Sequence, residues 1–334
     1  MKMGSKRFLV TGGSGFIGSA LTRRLVAEGH SVRVFDNNSR GSAHRLRDVK
    51  RDIEFVEADI RDLDAVTSAT RDIDTVIHLA YVNGTEFFYS KPELVLDIAI
   101  RGMLNVIDAC RSNGCGDLIL ASSSEVYQTP AIIPTDERTP LLIPDVTNPR
   151  YSYGGGKILC ELMGMHYGVS SFDRVTIFRP HNVYGVDMGW EHVIPQLSVK
   201  TARLIKSNLG SGIKPLVIQG DGTQTRAFVH IDDFVDGVML LLAEGRHREI
   251  YHIGNEEEVT ISKVANLIAS TLGYEAKLEY GQAKPGGTLR RCPDTSKMRD
   301  LGYAPKISFA EGIVDVANWY SAHEHLAPPD ESAA

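Results

Sequence analysis

Residues 8–28 read as strand, glycine loop and helix, and that order constrains the fold more than any other feature of the chain. The apolar run Phe8-Leu9-Val10 enters Thr11-Gly12-Gly13-Ser14-Gly15-Phe16-Ile17-Gly18, which opens into an amphipathic stretch from Ser19 to Glu28. Glycines at 12, 15 and 18 allow a tight turn, a close approach of backbone to a pyrophosphate, and close packing of helix on strand. The free N–H groups and positive dipole end of the helix then face the phosphates. A glycine triplet alone also fits a plain turn. The following run, Ser31 to Phe35, ends in Asp36, about 20 residues on, where an acidic side chain takes the adenosine ribose hydroxyls. A carboxylate there repels a 2′-phosphate, which favours NAD over NADP. Arg33 and Arg40 are the nearby cations that could reverse that preference.

Further strands are expected at Arg7–Val10, Ser31–Phe35, Ile53–Val56, Thr75–Leu79, Asp117–Ala121 and Arg174–Arg179. Helical patterns fall between them, near Ser14–Glu28, Leu63–Ala69, Pro92–Arg111 and Tyr153–Tyr167. Alternation of this kind predicts an α/β fold, a doubly wound parallel sheet with helices on both faces. Right-handed crossovers place the ligand at the carboxyl ends of the strands, near the switch in strand order. After Arg179 the pattern loosens. One helix, Ile194–Ser207, stands among Pro, Gly and aromatic residues; Val229 to Ala243 returns to a helical pattern; residues 251–322 mix short strands and helices. The expected division is a dinucleotide-binding domain of residues 1–180 and 225–250, a smaller α/β substrate lobe of 181–224 and 251–327, and a disordered tail of 328–334.

The net charge of −6 gives no general attraction to nucleic acid or to an anionic membrane, so a phosphorylated ligand must be held by a few placed cations. Four scattered cysteines without paired spacing suit a reducing compartment, and no Cys/His group has zinc-ligand spacing, so no metal is expected. A polar start leading into the first strand predicts no signal peptide, and no apolar run is long enough to span a bilayer. These readings predict a cytoplasmic protein.

Strand Asp117–Ala121 runs into Ser122-Ser123-Ser124-Glu125-Val126-Tyr127, and Tyr153-Gly-Gly-Gly-Lys157 opens a helix some thirty residues later. Tyr and Lys four apart share a helix face. A lysine cation beside a phenol lowers a pKa that is otherwise about 10. Such a tyrosine can take a proton from a sugar hydroxyl while hydride leaves the same carbon, and a serine at a strand end can bond that hydroxyl. Three consecutive helical glycines cost about 1 kcal/mol each relative to alanine. Another requirement therefore favours them, and close approach to a dinucleotide is one candidate.

The glycine loop, Asp36, Asp59-Ile60, His78-Leu79-Ala80, the serine cluster and Tyr153/Lys157 occur in an order that resembles the extended short-chain dehydrogenase/reductase family, the NAD-dependent sugar-nucleotide epimerases and dehydratases. The likeness covers nearly the whole chain. Its second half adds Arg179-Pro-His-Asn182-Val-Tyr-Gly185, the stretch from Gly220 through Arg226 to Asp233, His252-Ile-Gly-Asn255 and Asp294-Thr-Ser-Lys. The resemblance implies that Gly12, Gly15, Phe16, Ile17, Gly18 and Asp36 hold the adenosine half of NAD, with Asp59 and Ile60 at the adenine and Leu79 and Ala80 also along the cofactor. Ser123 and Tyr153 would act on the sugar hydroxyl, while Lys157 grips the nicotinamide ribose and tunes Tyr153. Asn182, Arg226 and Arg291 would hold the substrate's diphosphate, and Ser124 would lie against the substrate. A homodimer through the helices near 92–111 and 153–167 is implied in the same way.

Two positions depart from the family pattern: Ala99 stands where Asn is usual, and Gln128 where Gly is usual. Members oxidise the sugar, commonly at C4, to a keto intermediate that is then epimerised, dehydrated or decarboxylated. Epimerisation asks least of the residues present and is the expected reaction. Glu125 sits where dehydratases and UDP-glucuronate decarboxylases carry a catalytic Glu, so C5 chemistry is the alternative. Serine at 124 is a poor acid and argues against 4,6-dehydration. Some proteins of this fold bind NAD(P) as sensors without turnover, but these usually lose the Ser-Tyr-Lys set that is intact here.

Overall fold

The computed structural model describes residues 4–207, 214–282 and 288–329. Its centre is a seven-stranded sheet in which every neighbouring pair is parallel. Six strands were expected and occur at β1 (Arg7–Thr11), β2 (Ser31–Asp36), β3 (Ile53–Glu57), β4 (Thr75–His78), β5 (Asp117–Ala121) and β6 (Arg174–Pro180). The seventh, Glu249–Ile253, lies at the edge beside β6 and crosses residue 250, where a domain boundary was expected. Its sequence, Glu-Ile-Tyr-His-Ile, lacks the continuous apolar run of the central strands and hides it among the mixed elements that follow.

Across the sheet the order is Glu249–Ile253, β6, β5, β4, β1, β2, β3. The chain winds outward from β1 through β3, then crosses back to lay β4 on the other side of β1. That reversal opens a crevice at the carboxyl ends of β1 and β4. Side chains alternate between the two faces as the pleat requires. Leu9, Val76, Leu118 and Ile177 pack under α2 (Leu63–Ala69), α4 (Pro92–Asn113) and α5 (Ser152–Ser171). Phe8, Val10, Ile119 and Phe178 pack under α1 (Phe16–Ala27) and α7 (Ile231–Glu244). The remaining helices in this numbering are α3 (Thr85–Ser90) and α6 (Val193–Ser207). The pattern from Val229 is helical only from Ile231; Val229–His230 instead pairs with Val183–Tyr184, and His230 caps the helix.

A third apolar cluster builds the lobe, where Ile194 and Leu197 of α6 meet Val264 and Ile268, and Ile313 and Val316. Two small sheets cross it. Thr225–Ala227 pairs antiparallel with Glu258–Thr260 and parallel with Arg290–Arg291, while Leu216–Gln219 pairs with Leu278–Gly281. Residues 330–334 of the expected tail lie outside the described residues. No described helix is long and apolar enough to cross a membrane.

Helix α1 starts hard against the glycine loop. Gly12 has φ +70, and a Cβ on Gly18 would lie 2.2 Å from the Gly12 carbonyl oxygen. Gly18→Ala must therefore push α1 off β1. The expected cost is about 1–3 kcal/mol, seen as a lower denaturant midpoint at unchanged slope.

Candidate active site

A cavity of about 480 Å³ runs along the carboxyl ends of β1, β2, β4 and β5. At its floor the Thr11 hydroxyl lies 2.8 Å from His78 Nδ1 and accepts from the backbone N–H groups of Leu79 and Ala80, both at 3.2 Å. These bonds tie β4 to β1 where the strand order reverses. The N-terminus of α1 faces the cavity: Gly15 is its cap and supplies no capping side chain. Phe16, Ile17 and Gly18 line the wall beside Gly12 and Gly15.

At the far end Asp36 accepts from Ser14 N–H at 3.0 Å and Asn38 N–H at 2.9 Å, so its carboxylate is fixed at the end of β2. Both nearby arginines have partners within the protein. Arg33 turns away to Glu54 at 2.7 Å and the carbonyls of Ala69 and Arg71. Arg40 lines the cavity but pairs with Glu191 at 3.3 Å and lies over the Phe87 ring. Asp59 is held by Arg61 at 2.9 Å and by Asn37 at 3.2 Å, and the Arg61 hydrogen bond draws its carboxyl down to about 2. Ile60, Leu79 and Ala80 complete this side.

At the other end stand Ser123, Ser124, Glu125, Tyr153 and Lys157. Ser123 caps the short turn Ser124–Tyr127, accepting from Glu125 N–H at 3.1 Å, which aims the loop into the cavity. The Tyr153 ring stacks on Phe88, with centroids 5.0 Å apart. Burial pushes its phenol up to about 12, with the Ser123 hydroxyl bond pulling the other way. A phenol lowered by Lys157 was expected; instead the Lys157 ammonium bonds the Ala121 carbonyl at 2.8 Å and sits 3.8 Å from the Tyr81 ring centre, against 6.0 Å from that of Tyr153. Burial lowers Lys157 to about 8. Tyr81 is a site residue that sequence reading missed, because the motif it follows ends at Ala80.

Glu125 pairs with Arg291, Oε1 to Nη1 at 2.5 Å. Burial acts to raise its carboxyl, but Arg291, Arg150 and Arg226 outweigh it and hold the group below the usual range. Sheet register places Arg226 directly beside Arg291. Two adjacent cations repel, and burial together with Arg291 lowers Arg226 to about 10. Asn182, at φ 41, donates to the Ala227 carbonyl at 3.0 Å. Arg226 is the one candidate that lies off the main cavity; it lines an adjoining hollow of about 300 Å³, which shares Asn182, Met188, Glu191 and His192 with the first. Among the described residues, no group of three or more His, Cys, Asp and Glu is placed to hold a metal.

The helical glycines answer to protein atoms. A Cβ on Gly154 would lie 2.7 Å from the Gln128 side-chain nitrogen, one on Gly155 3.3 Å from Ile143, and one on Gly156 2.2 Å from the Tyr81 hydroxyl. Close approach to a dinucleotide is therefore not needed to account for them. Gln128, at φ 53, folds back to donate to the Glu125 carbonyl at 2.6 Å.

Beneath the serine loop lies a buried polar network that sequence reading did not find. Arg179 grips Glu161 with Nε at 2.8 Å and Nη2 at 2.6 Å, and also donates to the Glu137 carbonyl and the Tyr127 hydroxyl. Glu161 accepts from Ser122, and Tyr127 meets His252 Nε2 at 2.6 Å. Glu161 follows Lys157 by one helical turn and Arg179 precedes Asn182, so the signal was two charges set at helix and strand spacing in apolar surroundings.

Residues 8–254 match the description NAD dependent epimerase/dehydratase family. The chain belongs to that family. A putative UDP-glucose 4-epimerase of Methanocaldococcus jannaschii is 30% identical over 317 residues, 93% of this chain and 97% of that protein. A UDP-N-acetyl-alpha-D-glucosaminuronate decarboxylase of Bacillus cytotoxicus is 30% identical over 332 residues, covering 96% and 99%. The dTDP-glucose 4,6-dehydratase DesIV of Streptomyces venezuelae, solved with NAD and TYD bound, superposes with a TM-score of 0.84 at 29% identity, covering 97% and 99%. NAD is thus the family's cofactor, and the glycine cradle, the uncapped helix end and the fixed carboxylate of Asp36 fit it.

Two outcomes follow from the buried groups. Glu161→Gln leaves the Arg179 charge buried without its counterion, so stability should fall by about 3–5 kcal/mol in chemical denaturation. His78 and His252 are pushed by burial down to about 3, and His181 well below its ordinary 6.5. The unfolded chain takes up these protons first, so the stability they allow is full above 6.5 and falls as pH drops toward 3. Each contributes a slope of up to about 1.4 kcal/mol per pH unit. The denaturation midpoint should fall steeply between pH 6.5 and 5, before carboxylates titrate; a flat midpoint there would contradict neutral burial.

Proposed function

We propose that the protein oxidises the sugar of a nucleoside-diphosphate sugar at C4 and returns the hydride to the keto intermediate from the opposite face, an epimerisation. The observation that carries this reading is the cavity that holds Asp36 at one end and Ser123, Tyr153, Glu125 and Arg291 at the other, with Arg226 beside Arg291 in the adjoining hollow. Gly12, Gly15, Phe16, Ile17 and Gly18 would hold the pyrophosphate of NAD, Asp36 its adenosine ribose, and Asp59, Ile60, Leu79 and Ala80 the adenine and the adjoining wall. Bound NAD supplies the hydride acceptor. Lys157 would hold the nicotinamide ribose.

Tyr153 then takes the proton of the sugar hydroxyl, which Ser123 orients. A phenol near 12 in the free protein is protonated at neutral pH, so Tyr153 would serve as a base only with a further cation beside it, which the nicotinamide ring held at this site would supply. Arg226, Arg291 and Asn182 would carry the diphosphate. The guanidinium groups offer paired donors, and their mutual repulsion falls when an anion lies between them. The 300 Å³ hollow beyond Arg226 would take the nucleoside, and Ser124 would flank the sugar. On this reading the nucleotide sugar would lie across both cavities.

C5 chemistry is the second reading, and the ionised state of Glu125 favours it. A carboxylate held unprotonated in the cavity is a base, fitted to take a proton at C5 or to accompany decarboxylation. It is not fitted to protonate a leaving hydroxyl, and buried Ser124 cannot do so either. Straightforward 4,6-dehydration is therefore disfavoured.

The protein should also pair with a second copy through α4 and α5. These helices pack side by side, and α5 leaves Leu159, Leu162, Tyr167 and Val169 exposed. Exposed apolar groups clustered on a helix are a feature of association surfaces. Native mass measurement should give a dimer.

Incubation with UDP-, GDP-, dTDP-, CDP- and ADP-sugars tests the reaction. An unchanged product mass with a changed NMR spectrum is expected; loss of carbon dioxide or water overturns epimerisation. Tyr153→Phe should reduce turnover at least a hundredfold, the usual worth of a general base, while the purified variant still retains NAD. Glu125→Gln should leave a 4-epimerase active and stop C5 chemistry.

A further inference from the structure

Tyr81 lies outside every motif described above, yet it touches both members of the Tyr153–Lys157 pair. The Lys157 ammonium sits 3.8 Å from its ring centre. Its ring meets that of Tyr153 edge-on, with centroids 5.1 Å apart, and its hydroxyl donates to the Tyr153 carbonyl oxygen at 3.3 Å. That hydroxyl is lodged between α4 and α5. A Cβ on Gly156 would lie 2.2 Å from the hydroxyl and 3.0 Å from Ala99 Cβ, so only glycine at 156, with a side chain as small as alanine at 99, leaves this seat open.

The groups facing Lys157 show why a ring matters there. On its own helix are Cys160 and Glu161; His78 approaches from β4; Tyr81 and Tyr153 stand alongside; and the Ala121 carbonyl accepts one ammonium hydrogen. Of these only Glu161 is a carboxylate, and Arg179 occupies both its oxygens. His78 is buried and neutral. The buried ammonium therefore has one carbonyl bond and the electron-rich face of Tyr81 as its near compensation. A cation over a desolvated aromatic face gains more than one in water.

We propose that Tyr81 is a positioning residue for Lys157: its ring face carries the ammonium, and its hydroxyl, seated in the slot left by Gly156 and Ala99, locks the ring against the backbone of Tyr153. This role rests on the reading that Lys157 holds the nicotinamide ribose. Holding the ammonium there keeps it charged and directed at the same point in the free protein. Tyr81, Ala99 and Gly156 act as one interlocked set, so losing the ring face, or filling its seat while the hydroxyl is present, displaces the lysine.

The test uses the purified protein and NAD alone, with dissociation followed by protein fluorescence from pH 6 to 10. Affinity should fall as Lys157 loses its proton. Tyr81→Leu keeps the bulk and removes the aromatic face; the fall should come about one pH unit lower, with affinity down about tenfold between the two limbs. Tyr81→Phe keeps the face and should hold the limb at its wild-type position. Gly156→Ser should weaken NAD binding by crowding the hydroxyl, and Tyr81→Phe in the same chain should restore it. A wild-type limb in Tyr81→Leu overturns the proposal. If that variant does not fold, the Gly156→Ser pair decides, and absence of rescue overturns it equally. Lys157→Ala separates the two levels of the argument. Should it leave NAD affinity and its pH dependence unchanged, the assignment of Lys157 itself fails; should it abolish the limb while Tyr81→Leu behaves as wild type, only the role of Tyr81 fails.

Discussion

The contact between Gly18 and the Gly12 carbonyl sets the position of the first helix, and the rest of the structure depends on it. With no Cβ at 18, α1 begins directly above β1, its uncapped N–H groups facing the crevice where β4 returns beside β1. The bonds from Thr11 to His78, Leu79 and Ala80 then hold the two strand ends in register. A helix displaced outward by even a methyl group would draw its N-terminus back from the crevice and loosen the Phe8 and Val10 face against Leu21 and Leu25. Backbone proximity, more than any side chain, makes the anion-binding end of this fold.

The same logic recurs at the opposite end of the cavity, with another purpose. Gly154 gives way to the folded-back Gln128 and Gly156 to the Tyr81 hydroxyl. Gln128 and Ala99 both meet the glycine-rich turn of α5, at Gly154 and Gly156 respectively. Helix propensity has been lost there in exchange for space, and the space is filled by polar groups that orient the loop of Glu125 and the ammonium of Lys157.

Much of this was legible in the sequence. Parallel strands buried on both faces read as continuous apolar runs, so β1 to β6 could be placed within a residue or two, and the motifs at their ends named the residues that line the cavity. What escaped has physical reasons. Glu249–Ile253 is an edge strand with charged and aromatic residues, lacking the apolar run of the central ones. Tyr81 looks like an ordinary aromatic after a strand, since nothing local shows that Gly156, 75 positions later, will leave room for its hydroxyl. The Arg179–Glu161 pair is read singly as two surface charges, and only the fold brings them into one buried bidentate contact. The lowered phenol expected of Tyr153 depended on where the Lys157 ammonium lies, which spacing along a helix does not specify.

Charge at the sugar end decides what the cavity can do after oxidation. Arg150, Arg226 and Arg291 surround one carboxylate, leaving an excess of two positive charges where a diphosphate brings a matching negative pair. Arg291 is shared, since the guanidinium that would bind phosphate is the one bonded to Glu125. A diphosphate held as proposed would compete for that arginine, and each bond it took from Glu125 would remove part of what keeps the carboxyl ionised. Glu125 would then be least basic in the free protein and more basic with the arginine turned to the phosphates. On that reading substrate binding and the readiness of Glu125 to accept a proton would be linked through one side chain, and in the free protein the same arginine gives the buried carboxylate its counterion.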